Sequence, residues 1–247
     1  MARTIFHFTK YIVVVWLLLI MTSCKYTIGN QIEGNGKVKT ENREINDPFS
    51  KIKVSQGIHV IVEQANNTSV TINADENLLQ YISTRVEHGV LIISTNKSYE
   101  TQNDIEVNVK MPIIDGFDTS SASSITNLGK LKGNKLELNS SSGSEITLES
   151  IEFAQVNADA SSGSEITLKG KTFNYSVDAS SGSSINSENL LANTIIAKAS
   201  SGSSLDVHPL VSLTAKASSG SSINYDGSPK NVTQDSSSGA SIQSTRN

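Results

Sequence analysis

The chain of 247 residues has one cysteine, four prolines and only 5% aromatic residues. A lone cysteine excludes an intramolecular disulfide framework and any zinc or iron–sulfur site built on several thiolates. So few prolines exclude a proline-rich linker. Basic residues are not in excess: 20 Lys+Arg stand against 24 Asp+Glu, for a net charge of −4. Phosphate contacts need a basic surface, so no nucleic-acid partner is expected. Histidine is scarce, and His7, His59, His88 and His208 form neither an H-x-H nor an H-E-x-x-H pattern, so no metal site is expected. A nucleophile elbow of the Gly-x-Ser-x-Gly kind, a P-loop and a Gly-x-Gly-x-x-Gly turn are all missing. The expectation is therefore no catalytic residue and no cofactor.

Long apolar runs are rare as well. The longest, Tyr11 to Met21, follows Arg3 and Lys10 and leads into Thr22-Ser23-Cys24. Its length falls well short of the roughly twenty residues that cross about 30 Å of hydrocarbon. A basic start, a short apolar stretch and small residues after it describe a secretory signal peptide over residues 1–23. Met21-Thr22-Ser23-Cys24 resembles a bacterial lipobox, which marks Cys24 as the lipidation residue and the membrane as a partner through its anchor. Acyl chains on Cys24 would anchor the chain durably, since each buried CH₂ contributes about 0.8 kcal/mol.

What the sequence does have is a repeat. Ser-Ser-Gly-Ser recurs with its glycine at Gly143, Gly163, Gly182, Gly202 and Gly220; Ser-Ser-Gly-Ala at Gly239 and Ser-Ser-Ala-Ser at Ala122 extend it. The spacings are 21, 20, 19, 20, 18 and 19 residues. Three residues after the glycine stand Ile146, Ile166, Ile185, Leu205, Ile223 and Ile242. The columns seven, five and three before it are apolar or small, while the column four before it is Asn139, Asp159, Asp178, Lys198, Lys216, Asp235. Alternation with period two marks strands with one buried face, and a fixed period near 20 marks stacked rungs. The fold class is thus all-β, a parallel β-solenoid with rungs of about 20 residues, in which Ile166 lies over Ile185 inside and Asp178 beside Lys198 outside. The boundaries follow: 24–33 a tether, 34–115 a β-rich N-terminal half that continues the solenoid or caps it, and 116–247 the Ser-Ser-Gly-Ser solenoid. Ile52–Val54, Ile58–Val62, Val70–Ile72, Val90–Ile93 and Ile105–Val109 read as strands of the first half, and residues 77–82 as one helical turn.

Gly34-Asn35-Gly36-Lys37-Val38, Arg43-Glu44, Phe49 to Val54, Gly57 to Gln64, Ala74 to Leu78 and Val86 to Ile92 resemble the start of a Bacteroidetes domain of unknown function. Its name is the putative auto-transporter adhesin, head GIN domain. The resemblance spans about residues 34–242 and implies a right-handed parallel β-helix exported to the cell envelope as a lipoprotein. It carries no catalytic residues to transfer. Acidic residues tend to follow the cysteine of Bacteroidetes surface lipoproteins, whereas Lys25-Tyr26-Thr27-Ile28 follows here. The outer-membrane leaflet facing the periplasm is therefore favoured over the cell surface. Three readings remain: a non-enzymatic, adhesin-like binder of a glycan or an envelope protein; a polysaccharide-active enzyme; and a structural spacer in the periplasm. The enzyme would use Glu145 and Glu165, which the repeat stacks about 5 Å apart, the separation of a retaining glycosidase. The same pair would be the place for a calcium ion.

Overall fold

Each Ser-Ser-Gly-Ser segment imposes one backbone shape. Ser142 and Gly143 both take positive φ (56° and 67°), as do the Ser-Gly pairs of the next five corners. Two consecutive left-handed residues make a mirror-image β-turn that reverses the chain within four residues. The last serine of each motif is buried and closes the turn. The backbone N–H of Ser161 donates to the Ser164 hydroxyl at 3.1 Å, and that hydroxyl donates to the Ser140 carbonyl of the preceding rung at 2.7 Å. Ser183, Ser203 and Ser221 repeat the contact to Ala160, Ala179 and Ala199. Along the same edge, Gly143, Gly163, Gly182, Gly202 and Gly220 donate their N–H groups to Ser162, Ser181, Ser201, Ser219 and Ser238 of the next rung at 3.0–3.1 Å. The corner is therefore a continuous hydrogen-bonded ladder, which offsets the backbone strain of the left-handed serines.

The computed structural model describes residues 31–245, so Cys24 and the apolar run before it lie outside the described residues. In chain order the strands are β1 (Ile32–Glu33), β2 (Val38–Arg43), β3 (Lys51–Val54), β4 (His59–Gln64), β5 (Ser69–Asp75), β6 (Ile82–Glu87), β7 (Val90–Thr95), β8 (Tyr99–Glu100), β9 (Glu106–Met111) and β10 (Gly116–Thr119). They continue as β11 (Ser124–Leu128), β12 (Leu131–Ser140), β13 (Glu145–Ala160), β14 (Glu165–Ala179), β15 (Ser184–Ala199), β16 (Ser204–Ala217), β17 (Ser222–Tyr225), β18 (Asn231–Ser236) and β19 (Ser241–Ser244). Among the described residues no helix is long and apolar enough to cross a membrane; a single 3-10 turn spans Leu79–Tyr81.

From β10 onward every neighbour pairs in parallel, in the register that the repeat dictates. Ile146 lies over Ile166, Ile166 over Ile185 and Ile185 over Leu205, and all four are fully buried. Asp178 and Lys198 are register partners on the outer face. The stack is a parallel β-solenoid. Its last rung departs from the pattern: Val232 is 41% exposed, and Gln234 and Ser236 stand exposed beside the buried Ala215 and Ala217 of the preceding rung. Among the described residues this rung has no neighbour on its far side, and Gln234 and Ser236 make that edge more polar than the core columns beneath it.

The first half joins the same stack out of chain order. β3 and β4 pair in parallel with β10 and β11, and β7 and β9 pair in parallel with β3 and β4 from the other side. Beyond them the direction reverses: β6 is antiparallel to β7, β5 to β9 and β2 to β5. Antiparallel strands end the parallel stack and cover its first core edge. The turn between β3 and β4 is a further copy of the corner, with Gln56 and Gly57 at φ 68° and 71° and the Gly57 N–H bonded to Ser121 at 3.0 Å. Ile58, fully buried, takes the place of the motif's last serine.

Candidate functional site

Glu145 and Glu165 are register partners on β13 and β14, both exposed, and the Thr147 hydroxyl donates to Glu145 at 2.7 Å. They stand side by side in one column of an outer sheet face. Register neighbours in a parallel ladder lie about 4.8 Å apart whatever their role, so the spacing of this pair is a property of the stack and not by itself a catalytic arrangement. The same column continues downward through Ser124, His59 and Glu106. His59 Nδ1 lies 2.7 Å from the Ser124 hydroxyl and Nε2 lies 3.3 Å from that of Thr126, a juxtaposition that their separation in sequence hides. The backbone N–H groups of His59, Ser124 and Glu145 are spent on the carbonyls of Ile105, Ile58 and Ser123. The oxyanion donors that a serine nucleophile requires are thus engaged in the ladder. His88 sits in the turn after β6, and His208 on β16 lies 3.7 Å from Asp226. Among the described residues no group of three or more His, Cys, Asp or Glu side chains is placed to hold a metal.

At the N-terminal end, Asp75 is buried and accepts from the Thr101 hydroxyl at 2.7 Å and the Asn103 amide at 2.8 Å. Asn77 accepts from the Asn35 N–H and donates to the Glu33 carbonyl. Gly34 approaches so closely that a Cβ there would lie 2.0 Å from the Asp75 carboxylate. The Gly-Asn-Gly segment is thereby fastened over the cap, beside a cavity of about 300 Å³ also bounded by Glu100 and Gln102. The Thr101 hydroxyl, with Asn103 and the Gly36 N–H, holds the Asp75 carboxyl below its ordinary value of 3.8, against the opposing effect of burial. A depressed carboxyl stabilises the fold above the unfolded value, and that contribution is lost as pH falls through the folded one. Asp75→Asn is therefore expected to lower the unfolding free energy by about 1–3 kcal/mol at neutral pH. Denaturant titration should show the gap to wild type closing below about pH 3.8.

The flank formed by the middle of the long strands is different in character. Between Leu148 and Ile151, and again between Thr167 and Lys169 and between Ser187 and Leu191, the register slips. Just beyond the slips, apolar side chains face outward in successive rungs: Phe173 is 64% exposed and Leu191, Leu210 and Val211 lie between 41% and 44%. Phe173, Leu191 and Leu210, with buried Phe153 and Thr172 and half-buried Asn193, line a groove of about 390 Å³. Phe153 packs where Gly133 leaves room, since a Cβ on Gly133 would come within 2.6 Å of its ring. One rim is Glu152, ion-paired to Lys130 and, at 3.0 Å, to Lys171; these two lysines lower its carboxyl pKa. Aligning on the corner glycine places Phe173 nine residues before Gly182, in a column that otherwise holds Asn134, Ala154, Asn193, Val211 and Lys230. An aromatic in that outward column is the signal by which the sequence marks the groove, and no catalytic motif contains it.

The family model described as putative auto-transporter adhesin, head GIN domain, matches residues 48–229. The fold is similar to crystal structures of a putative adhesin from Bacteroides fragilis (TM-score 0.80, 19% identity, 86% of this chain and 99% of that one) and a putative adhesin from Parabacteroides merdae (0.71, 18%, 88% and 100%). A putative lipid binding protein from Parabacteroides distasonis has the same fold (0.73, 20%, 88% and 100%). At these identities the likeness is one of fold. No curated protein matches the sequence.

Proposed function

The chain belongs to the putative auto-transporter adhesin, head GIN domain family, and we propose that it is a non-enzymatic, lipid-anchored envelope protein that binds a glycan on its flank. The observation that carries the reading is the groove around Phe173. An exposed ring offers a face for the C–H side of a sugar, while Thr172, Asn193, Glu152 and Lys171 beside it offer hydrogen bonds to hydroxyls. Such single contacts are weak, and display of many copies on one membrane would raise their avidity.

Glycan-array binding by residues 31–247, which hold every described strand, should fall at least tenfold in Phe173→Ser. The side chain is exposed, so the fold is expected to persist. No glycan bound by the wild type would sink the reading. The name of the Parabacteroides distasonis relative makes an acyl chain the second ligand to offer, and capture of vesicles in place of sugars would favour it. Turnover of any glycan that is lost in Glu145→Gln/Glu165→Gln would replace the reading by the enzymatic one. Anchoring is tested separately. Cys24→Ser should abolish incorporation of labelled acyl chains, and label persisting on the variant would dismiss the lipobox. Protease treatment of intact cells then distinguishes the periplasmic face from the surface.

A further inference from the structure

Four residues before each corner glycine, the outer face carries a column that reads Asn139, Asp159, Asp178, Lys198, Lys216, Asp235, stacked rung upon rung. Its charge order is minus, minus, plus, plus, minus, so like charges stack twice at a spacing of about 4.8 Å. Among the described residues none of these five charged side chains has an ionic partner within 4 Å, whereas on the groove side Lys130, Lys169 and Lys171 each meet a glutamate. Burial and the neighbouring Asp178 both raise the Asp159 carboxyl pKa, with Lys198 opposing them. A hollow of about 330 Å³ lies over Asp178, Lys198, Lys216 and Asp235.

We infer that this face binds a second copy of the chain, with the two solenoid axes antiparallel and a two-fold axis running along the strands between the Asp178 and Lys198 rungs. That operation places each column over itself in reverse order. Asp159 then faces the second copy's Lys216, Asp178 faces its Lys198, and both pairs occur twice. Moving the axis to either adjacent rung brings Lys198 against Lys198 or Asp178 against Asp178, and a parallel pairing sets every charge against its own kind. Within the column, one closed register matches all four central charges. An order that is unfavourable in the isolated chain is thus self-complementary across a dyad.

The flanking columns allow the approach. Ser161 and Ser180 would face Ser218 and Ser200, Asn157 would face Thr214, and Ile196, 47% exposed, would lie beside the dyad. Six rungs of about 4.8 Å by seven residues of about 3.3 Å cover roughly 670 Å² per partner. That is close to the roughly 800 Å² per partner of a standard interface. The dimer does not depend on the glycan groove, which lies on another flank. On the anchoring proposed above, antiparallel axes put the two N-terminal caps at opposite ends, which suits copies carried on facing membranes.

Sedimentation equilibrium of residues 31–247 tests the inference. The wild type should dimerise at low salt and dissociate as salt screens the pairs. Lys198→Asp/Lys216→Asp, with an all-acidic column, and Asp159→Lys/Asp178→Lys, with a basic one, should each remain monomeric. Mixed in equal amounts, they should form a heterodimer. Circular dichroism of each variant checks that the fold is kept, and the salt dependence of the wild type needs no variant. A wild type that stays monomeric at low salt would overturn the inference, as would a dimer that survives in both variants. Mixing that restores nothing between folded variants would do the same. A monomer that binds inorganic phosphate through Lys198 and Lys216 would assign the face to an anion instead.

Discussion

Ile185→Asp is expected to abolish most of the resistance of the solenoid to denaturant, whereas Lys39→Ala should leave it nearly unchanged. Ile185 is fully buried, with Ile166 below it and Leu205 above. A carboxylate there has no partner, and burying one costs several kcal/mol, a sum comparable with the stability of a whole domain. Lys39 meets Glu76 at 3.1 Å with both side chains more than half exposed, a pair worth about 0–1 kcal/mol. The position in the stack should matter as well. Rungs contact only their neighbours, so a fault in the middle weakens two interfaces and one at the end weakens one. Ile242→Asp, in the partly buried terminal rung, is expected to cost much less than Ile185→Asp. The introduced acid should also reveal itself by pH. Burial raises its folded pKa above the unfolded value near 3.9, so the native state holds the proton more tightly and the deficit grows as pH rises from about 4 to 7. An Ile185→Asp variant that loses no more than Lys39→Ala would mean that Ile185 does not face the core.

The phase of these strands was legible because the repeat supplies its own alignment. Once the glycines are in register, a column of aliphatics at one offset and of charges at another leaves one side for the core. The N-terminal half offered no such help. Gln56-Gly57 makes the same corner as Ser142-Gly143, yet its glycine is 65 residues from the next copy at Ala122. The intervening chain includes β7 and β9, which form the rung below, β5 and β6, which pair antiparallel with them, and β8, which pairs with β1. Chain order and stacking order differ there, and periodicity can only follow chain order. The short strands themselves were visible in Ile52–Val54, Ile58–Val62 and Val90–Ile93 because alternation is local; their partners were not. The candidate site divides in the same way. Glu145 and Glu165 were placed correctly as stacked neighbours. Their standing on one exposed face, the His59–Ser124 contact and the groove around Phe173 all depend on how columns lie across the rungs and where the register slips.

Those slips make the last prediction. Gly170→Ala should destabilise the fold by several kcal/mol, while Gly182→Ala, at a corner, should cost only about 1 kcal/mol. Gly182 has φ 70°, and a Cβ there would meet nothing within 4 Å. Ala122 already occupies the equivalent position at φ 58°, so the penalty is the modest strain of a left-handed alanine. Gly170 sits on β14 at φ 139°, directly above Ile151. A Cβ built on it would lie 2.1 Å from the Ile151 carbonyl oxygen and 2.8 Å from its nitrogen. Both are backbone atoms of a fully buried residue, so no side chain can swing aside. Relief requires the two rungs to separate or β14 to change its bulge, and either disturbs the parallel ladder between β13 and β14. Backbone strain of about 1–3 kcal/mol and overpacking of similar size should therefore combine. Chemical denaturation of the two variants side by side measures the difference. A Gly170→Ala protein as stable as Gly182→Ala would mean that β14 does not approach β13 in the register described.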